Sequence, residues 1–338
     1  TPAGYGGPVE PMGTSILLLI AGLAALIVGA DLTVAGARIF ARRLGLSELV
    51  IGLTLTSIGT SLPELATSAS AAIASESGSA AAGVAVGNLL GSNLFLITAL
   101  LGMSAVARTI RIEPATIWRD GGTLMVATVA ALAVMVGGEV HRLEGILLVL
   151  GYLAYLAFVA VQERRRLRSI DETDPETDSE PENGRLVPWW ISSTIRMCVG
   201  LAGVLVGADM VVDHGVSMAT IIGVPGTLIG IFVGVGTSLP ELVVSVQAAL
   251  RGSADISVGN IVGSGITNLL LCLGAAAGAH AIAVPPAAVL FDLPFLLVTT
   301  AIAIALMLEG FDVTRAEGTV LCLLFVLYLY LRIAGMGF

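Results

Sequence analysis

The sequence predicts an all-α membrane protein with ten transmembrane helices arranged as two inverted five-helix repeats. Three observations predict this fold: an apolar composition, ten long apolar stretches and a repeated set of motifs. The chain of 338 residues is 56% hydrophobic and 12% charged, with a mean hydropathy of +0.96. Soluble domains carry roughly 25% charged residues, so the composition excludes an ordinary water-soluble protein.

Ten stretches are long enough to cross a bilayer, which requires about 20 apolar residues. They span residues 14–40, 47–74, 80–105, 117–137, 143–162, 187–213, 223–250, 253–279, 287–308 and 316–336. We therefore divide the chain into an extracellular N-terminal segment (1–13), a first five-helix repeat (14–162), a cytoplasmic linker (163–186) and a second five-helix repeat (187–338).

The arginine distribution predicts the orientation. Thirteen of the sixteen arginines lie in or beside the loops that follow the first, third, fifth, seventh and ninth stretches, and two, Arg142 and Arg332, lie on the opposite side. Basic residues concentrate on the cytoplasmic side of membrane proteins. We therefore expect a multi-pass protein of the plasma membrane with both termini outside the cell.

A set of three motifs occurs once in each half, on the first three stretches of that half. In the first half the motifs are Gly29-Ala30-Asp31, Gly59-Thr60-Ser61-Leu62-Pro63-Glu64 and Gly87-Asn88-Leu89-Leu90-Gly91-Ser92; in the second they are Gly207-Ala208-Asp209, Gly236-Thr237-Ser238-Leu239-Pro240-Glu241 and Gly259-Asn260-Ile261-Val262-Gly263-Ser264. Because five is an odd number of crossings, the second copy enters the membrane upside down, as in many transporters.

The inverted repeat brings Glu64 and Glu241 together near the bilayer centre. An ionised acid there costs roughly 2.5–3.5 kcal/mol unless it is neutralised, and neither motif stretch holds an internal arginine. One such glutamate is compatible with a protonated, hydrogen-bonded residue at a structural kink. Two at matching depth favour a bound cation, with protons replacing it when the site is empty.

The neighbours of the two glutamates are oxygen ligands. Pro63 and Pro240 lack an N–H, so each frees a backbone carbonyl in the preceding turn. Together with the hydroxyls of Thr60, Ser61, Thr237 and Ser238, these carbonyls complete an oxygen cage of the kind that hard cations such as Ca²⁺ prefer. The motifs contain no His, Cys or Met, which argues against soft transition metals.

Other motif residues receive separate interpretations. Ser92 and Ser264 are candidate ligands because they lie beside the Pro-Glu helices in the repeat, whereas the glycines one and five residues before them favour close helix packing. We expect Asp31 and Asp209, which lie nearer the helix ends, to be structural and to pair with an arginine or a helix end. The three cysteines fall in apolar stretches and are interpreted as small buried residues.

At these motifs the sequence resembles the cation/calcium exchanger superfamily, specifically its sodium/calcium exchanger branch, over nearly the whole chain. The resemblance implies exchange of several Na⁺ for one Ca²⁺ at a shared central site. It implies central ligands at Glu64 and Glu241, assisted by Thr60 and Thr237, and flanking Na⁺ sites that involve Ser61, Ser92, Ser238 and Ser264. The family's polar position four residues after the serine is Leu96 in one half and Asn268 in the other; Asn268 is included among the candidate ligands.

The expected function is that of a secondary-active antiporter, not an enzyme. Ca²⁺ and Na⁺ are its expected substrates and the lipid bilayer its surroundings; we expect no resident cofactor, no nucleic acid and a functional monomer. A proton-coupled or otherwise altered divalent-cation antiporter is the alternative, since Leu96 removes a polar group. A channel or a membrane scaffold is disfavoured, because a scaffold needs no acids in mid-membrane.

Overall fold

The apolar stretches fold as helices because a backbone inside a bilayer must satisfy its own hydrogen bonds. The computed structural model describes residues 12–74, 79–173, 189–222 and 235–334. Their helices are α1 (Met12–Leu44), α2 (Glu48–Thr60), α3 (Leu62–Ala74), α4 (79–107), α5 (Pro114–Met135), α6 (Arg142–Thr173), α7 (Trp189–Ile221), α8 (Leu239–Leu250), α9 (Ala254–Ala279), α10 (Ala288–Leu308) and α11 (Arg315–Ile333).

The described helices confirm an all-helical membrane protein. Eight of them are long and apolar enough to cross a bilayer, and the count rises to nine if the bent pair α2 and α3 forms one span. The seventh predicted stretch, 223–250, is only partly described: residues 223–234 lie outside the described ranges, and α8 is a shorter apolar helix. A total of ten spans therefore stays a prediction.

Helix α6 extends beyond the predicted fifth stretch. It continues to Thr173, whereas the sequence prediction ended the stretch at 162 and started the linker at 163. The extension contains arginines and glutamates, which are good helix formers in water, so the helix continues after its apolar part ends. Residues 174–188, with most of the predicted acidic linker, and residues 1–11 of the predicted N-terminal segment lie outside the described ranges.

Helices α1 and α7 form a close antiparallel pair. Gly22 lies against Gly207 and Gly29 against Gly200; a Cβ atom added at Gly29 would lie 2.7 Å from the Gly200 carbonyl oxygen. The glycines let the two backbones approach closely, as small residues do in membrane helix pairs. Apolar residues of α1, α7 and α8, together with Ile51 of α2 and Ile256 of α9, form a buried cluster distinct from the larger core.

Helices α4 and α9 lie at the centre of the molecule. In each of them 83% of the most apolar window is buried, compared with 17–39% in the other long spans. Helix α9 packs closely on α2, because added Cβ atoms at Gly259 and Gly263 would lie 2.6 Å from the Leu49 and 2.8 Å from the Leu53 carbonyl oxygens. Both glycines therefore have the predicted packing role, while no described atom lies within 4 Å of the added Cβ at Gly87 or Gly91.

Two short antiparallel ribbons tie the ends of the helices together across the halves. Strand β1 (Ile110–Arg111) follows α4 and pairs with β4 (Asp312–Val313), which precedes α11. Strand β2 (Glu139–Val140) precedes α6 and pairs with β3 (Ile282–Ala283), which follows α9. Each ribbon therefore joins the end of a central helix to the start of the last helix of the opposite half.

Candidate functional site

The motif helices are interrupted where the sequence predicts. Helix α2 ends at Thr60 and α3 begins at Leu62, with a bend of 45° between them. At the break Ser61 has φ −82° and ψ 9°, and Ser238, just before α8, has φ −93° and ψ 8°. Pro63 and Pro240 occupy the first turns of the following helices, where a missing N–H is tolerated.

Glu64 and Glu241 are both fully buried and are held by serines of the opposite half. Ser238 Oγ donates to Glu64 Oε1 at 3.0 Å, and Ser61 Oγ donates to Glu241 Oε1 at 3.0 Å. Both glutamates have 0% exposure. The reciprocal bonds bring the two Gly-Thr-Ser-Leu-Pro-Glu segments face to face.

The second oxygen of each carboxylate has no hydrogen-bond partner among the residues that the structure describes. Glu64 Oε2 and Glu241 Oε2 are buried and unpaired, and neither glutamate forms an ion pair within the described residues. A buried acceptor without a partner costs about 1–3 kcal/mol, and more if it is charged. Two such oxygens in one buried site indicate that a proton or a cation completes it.

Ser92 and Ser264 occupy the corresponding positions of α4 and α9 but have different partners. Ser92 Oγ lies 3.0 Å from Ser238 Oγ, which already donates to Glu64, so Ser92 joins the same hydrogen-bond chain. Ser264 Oγ is buried and has no partner among the described residues. Helix α9 therefore carries a further buried hydroxyl that no described residue satisfies.

Asn268 and Leu96 lie in π-helical segments. Leu96 is part of Phe95–Leu100 and Asn268 of Thr267–Cys272, and both side chains are fully buried. Asn268 Oδ1 accepts the weak Cys272 S–H at 3.6 Å, whereas its Nδ2 has no partner. Single turns of π-helix occur often at functional sites because they change which side chains face a neighbouring helix.

The hydroxyls of Thr60 and Thr237 contact two asparagine amides of the opposite half. Thr60 Oγ1 lies 3.2 Å from Asn260 Oδ1, and Thr237 Oγ1 lies 3.2 Å from Asn88 Oδ1. The carbonyls of Thr56 and Ser57 are also within reach of Thr60 Oγ1, at 3.1 and 3.3 Å. Both threonine protons therefore have protein acceptors, and each threonine lies behind the serine that touches a carboxylate.

Hydrogen bonds join five predicted site residues in two sets. Ser61 is bonded to Glu241, and Ser238 is bonded to Glu64 and Ser92. Ser264 and Asn268 share one face of α9, since four residues separate them. In the described part of the chain no three His, Cys, Asp or Glu side chains cluster as a metal site.

Sequence reasoning did not single out Asn88 and Asn260, although it assigned the glycines of the same block to packing and its serines to the site. Each asparagine lies four residues before the serine of its block, so the two side chains share a helix face. That spacing was the available signal. It did not identify the partners, which come from the other half of the chain.

Asp31 has the arginine partner that was expected for it. Arg251 Nε donates to Asp31 Oδ1 at 2.8 Å, and Arg251 Nη2 and Gln247 Nε2 also donate to this carboxylate. The pair joins α1 to the end of α8. The corresponding residue of the second half, Asp209, has no ion pair within the described residues.

Two further buried acids were not singled out from the sequence. Asp120 on α5 accepts from Arg119 Nε at 2.8 Å and from the Tyr155 hydroxyl at 3.3 Å. Asp292 on α10 accepts from the Tyr328 hydroxyl at 3.0 Å and lies 3.3 Å from Arg332 Nη2. Each acid is satisfied by an arginine and a tyrosine, which indicates a structural link between neighbouring outer helices.

Known proteins resemble the chain over nearly its whole length. The family profile described as "Sodium/calcium exchanger protein" matches residues 14–161 and 192–334. The sodium/calcium exchanger MaX1 of Methanosarcina acetivorans is 32% identical over 93% of this chain and 97% of its own length. The inner membrane protein YrbG of Escherichia coli is 31% identical over 76% of this chain and 77% of its own.

A solved structure has the same fold. The sodium-calcium exchanger NCX_Mj, in a form soaked with Na⁺ and Sr²⁺, matches with a TM-score of 0.80 and 26% identity, over 95% of this chain and 99% of that one. The profile match covers both halves and most of the chain. The chain belongs to the sodium/calcium exchanger protein family.

Proposed function

We propose that the chain is a secondary-active antiporter that exchanges Na⁺ for Ca²⁺ by alternating access at a central site formed by Glu64 and Glu241. The observation that carries the proposal is the pair of buried carboxylates, each with one oxygen bonded to a serine of the opposite half and one oxygen unpaired. One Ca²⁺, or Na⁺ ions in its place, would supply both the missing ligand contacts and the missing charge.

The other candidate ligands would complete the coordination. Hard cations take six to eight oxygens, which two glutamates alone do not provide. Ser61 and Ser238 donate to the carboxylates, and Ser92 lies beside Ser238. Ser264, Thr60 and Thr237 would add their hydroxyls, and the helix breaks would add backbone carbonyls. Asn268 would add its amide oxygen from α9.

Alternating access would come from movement of α1 and α7 relative to the remaining helices. These two helices pack mainly against each other, through glycines, and their buried cluster is distinct from the larger core. A two-helix unit of this kind can shift along the core without opening it. Each ribbon joins the end of the central helix of one half to the start of the last helix of the other half. The same connection occurs twice with the halves exchanged, which supports the proposed inverted five-helix repeats.

The direct test is a transport assay in proteoliposomes that crosses cation gradients. We expect saturable uptake of ⁴⁵Ca²⁺ that requires an outward Na⁺ gradient and does not respond to K⁺ or pH gradients alone. Uptake that follows the Ca²⁺ gradient without any counter-ion would indicate a channel instead and would contradict the proposal. We propose that the active unit is a monomer in the plasma membrane with both termini outside.

A second candidate is a proton-coupled divalent-cation antiporter. It is favoured by one observation: Leu96 is fully buried and apolar at the position of α4 that corresponds to Asn268 of α9. A missing polar group there would weaken a Na⁺ site more than a proton site. In the same assay, ⁴⁵Ca²⁺ uptake driven by a pH gradient in the absence of Na⁺ would select this candidate.

A further inference from the structure

We infer that Asn88 and Asn260 are positioning residues of the cation site. Each asparagine closes a ring of hydrogen-bonded side chains that fixes the orientation of one glutamate carboxylate. This inference rests on the proposed function, because it concerns how the same site is held ready for its cation. Neither asparagine touches a carboxylate side chain. Each acts through the threonine and serine of the opposite half.

The first ring contains Glu241. Asn260 Oδ1 lies 3.2 Å from Thr60 Oγ1, and the next residue, Ser61, donates to Glu241 Oε1 at 3.0 Å. Asn260 Nδ2 donates to Ser245 Oγ at 2.9 Å, one helical turn beyond Glu241 on the same helix. The amide therefore ties the break between α2 and α3 to the helix that carries the carboxylate.

The second ring contains Glu64 and repeats the arrangement with the halves exchanged. Asn88 Oδ1 lies 3.2 Å from Thr237 Oγ1, and the next residue, Ser238, donates to Glu64 Oε1 at 3.0 Å. Asn88 Nδ2 donates to Ser68 Oγ at 3.2 Å, one turn beyond Glu64. The same five groups thus occur twice, in the same order.

Only a side chain with an acceptor and a second polar group at this distance closes such a ring. Leucine has the same number and branching of side-chain heavy atoms as asparagine but makes neither bond, so the threonine and serine of the break would lose their fixed position. The orientation of the unpaired carboxylate oxygen would then no longer be fixed. This oxygen is Glu241 Oε2 in the first ring and Glu64 Oε2 in the second. Outer partners that orient metal ligands typically contribute 10- to 100-fold in affinity.

An aspartate substitution distinguishes loss of the hydrogen-bonded ring from a change in packing. The two ring partners of each asparagine are hydroxyls, and a hydroxyl can donate as well as accept. In Asn260→Asp, Thr60 and Ser245 can therefore both donate to the new carboxylate, and the ring stays closed. Asn260 Nδ2 also makes a long contact of 3.5 Å with the Glu241 backbone carbonyl, which aspartate would lose without opening the ring. Asn260→Leu keeps the heavy-atom branching of the side chain but opens the ring.

The experiment measures ⁴⁵Ca²⁺ equilibrium binding to the purified full chain and the KM and maximal rate of uptake in proteoliposomes. For Asn260→Leu and for Asn88→Leu we expect the Kd and KM for Ca²⁺ to rise about 10- to 100-fold, with a smaller change in maximal rate. For Asn260→Asp we expect a Kd no higher than about threefold above that of the unchanged protein. Thr128→Val, which removes a buried hydroxyl that donates only to Leu124 O at 2.8 Å, is the control and should leave both constants unchanged.

Ser245→Ala and Ser68→Ala are milder variants that keep the test decisive if a leucine variant does not fold. Each removes one bond of a ring, which should raise the Kd about 2- to 10-fold. The double variant Asn260→Leu/Ser245→Ala should be no weaker than Asn260→Leu alone, because both changes open the same ring.

Normal Ca²⁺ affinity in both leucine variants, or in both alanine variants, would overturn the inference. An Asn260→Asp protein that binds Ca²⁺ as weakly as the Asn260→Leu protein would also overturn it. An unchanged protein that binds no Ca²⁺ would instead contradict the proposed function itself. The two failures are therefore distinguishable in one set of measurements.

Discussion

At the scale of single residues, the site is defined by oxygens that the protein leaves unpaired. Within the described ranges Glu64 Oε2, Glu241 Oε2 and Ser264 Oγ are buried without partners, while nearby serines, threonines and asparagines are bonded to one another. A folded protein rarely keeps such groups unless something else satisfies them. The unpaired oxygens are where a cation would add most to stability.

Ser92 and Ser264 allow this idea to be tested because they correspond in sequence but differ in bonding. Ser92→Ala removes the hydrogen bond between Ser92 and Ser238. It should lower the stability of the cation-free protein by about 1 kcal/mol. Ser264→Ala removes an unpaired hydroxyl, so the cation-free protein should be equally stable or more stable. Ca²⁺ should then raise its melting temperature less than it does in the unchanged protein.

Thermal unfolding of the purified protein with and without Ca²⁺, in Na⁺-free buffer, measures both effects. Equal destabilisation of the cation-free protein by the two substitutions would show that Ser264 is satisfied in solution. That result would exclude Ser264 as a ligand that is unpaired in the cation-free protein.

At the scale of helices, prolines and glycines decide where the chain breaks and where it packs. The break between α2 and α3 was predictable from Pro63, because proline removes a hydrogen bond and crowds the preceding turn. The close approach of α1 to α7 was not predictable, since it depends on glycines that lie far apart in sequence. The extension of α6 was missed because the apolar pattern ends before the helix does.

The α1–α7 contact makes a stability prediction. A Cβ added at Gly200 would lie 2.6 Å from the Thr33 backbone nitrogen and 2.7 Å from the Gly29 carbonyl oxygen. Gly200→Ala should therefore destabilise the protein by about 1–3 kcal/mol through overpacking. Gly151→Ala on α6 is the matched control, because nothing lies within 4 Å of its added Cβ and alanine is the better helix former.

Denaturant unfolding of the two variants in detergent gives the comparison. A Gly200→Ala protein as stable as the Gly151→Ala protein would mean that the two helices are farther apart in solution. The proposed moving unit would then lose its main structural support.

At the scale of the whole molecule, the two halves contribute equally to one site. Each carboxylate is bonded to a serine from the other half, and each asparagine ring contains residues of both halves. The sequence predicted that Glu64 and Glu241 meet, because the repeated motifs fall on corresponding stretches. It could not predict the asparagine partners, since Asn260 and Thr60 are separated by 200 residues and only folding brings them together.

The same limit explains the other omissions. Asp120 and Asp292 each have a tyrosine partner some thirty-five residues away along the chain. No local sequence pattern predicts either contact. The asymmetry between Ser92 and Ser264 is likewise invisible in two matching motifs. Repeats predict which residues correspond, whereas packing decides which of them remain unpaired.

The most direct test of the central claim is Na⁺-gradient-driven ⁴⁵Ca²⁺ uptake by Glu64→Gln and Glu241→Gln proteins in proteoliposomes. Removing one charged partner from a buried ionic site typically costs about 3–5 kcal/mol. We therefore expect each substitution to lower the uptake rate at limiting Ca²⁺ by at least about 100-fold. The exposed Glu309→Gln should transport normally. Full Na⁺-dependent exchange by either buried variant would contradict a cation site built on the two glutamates.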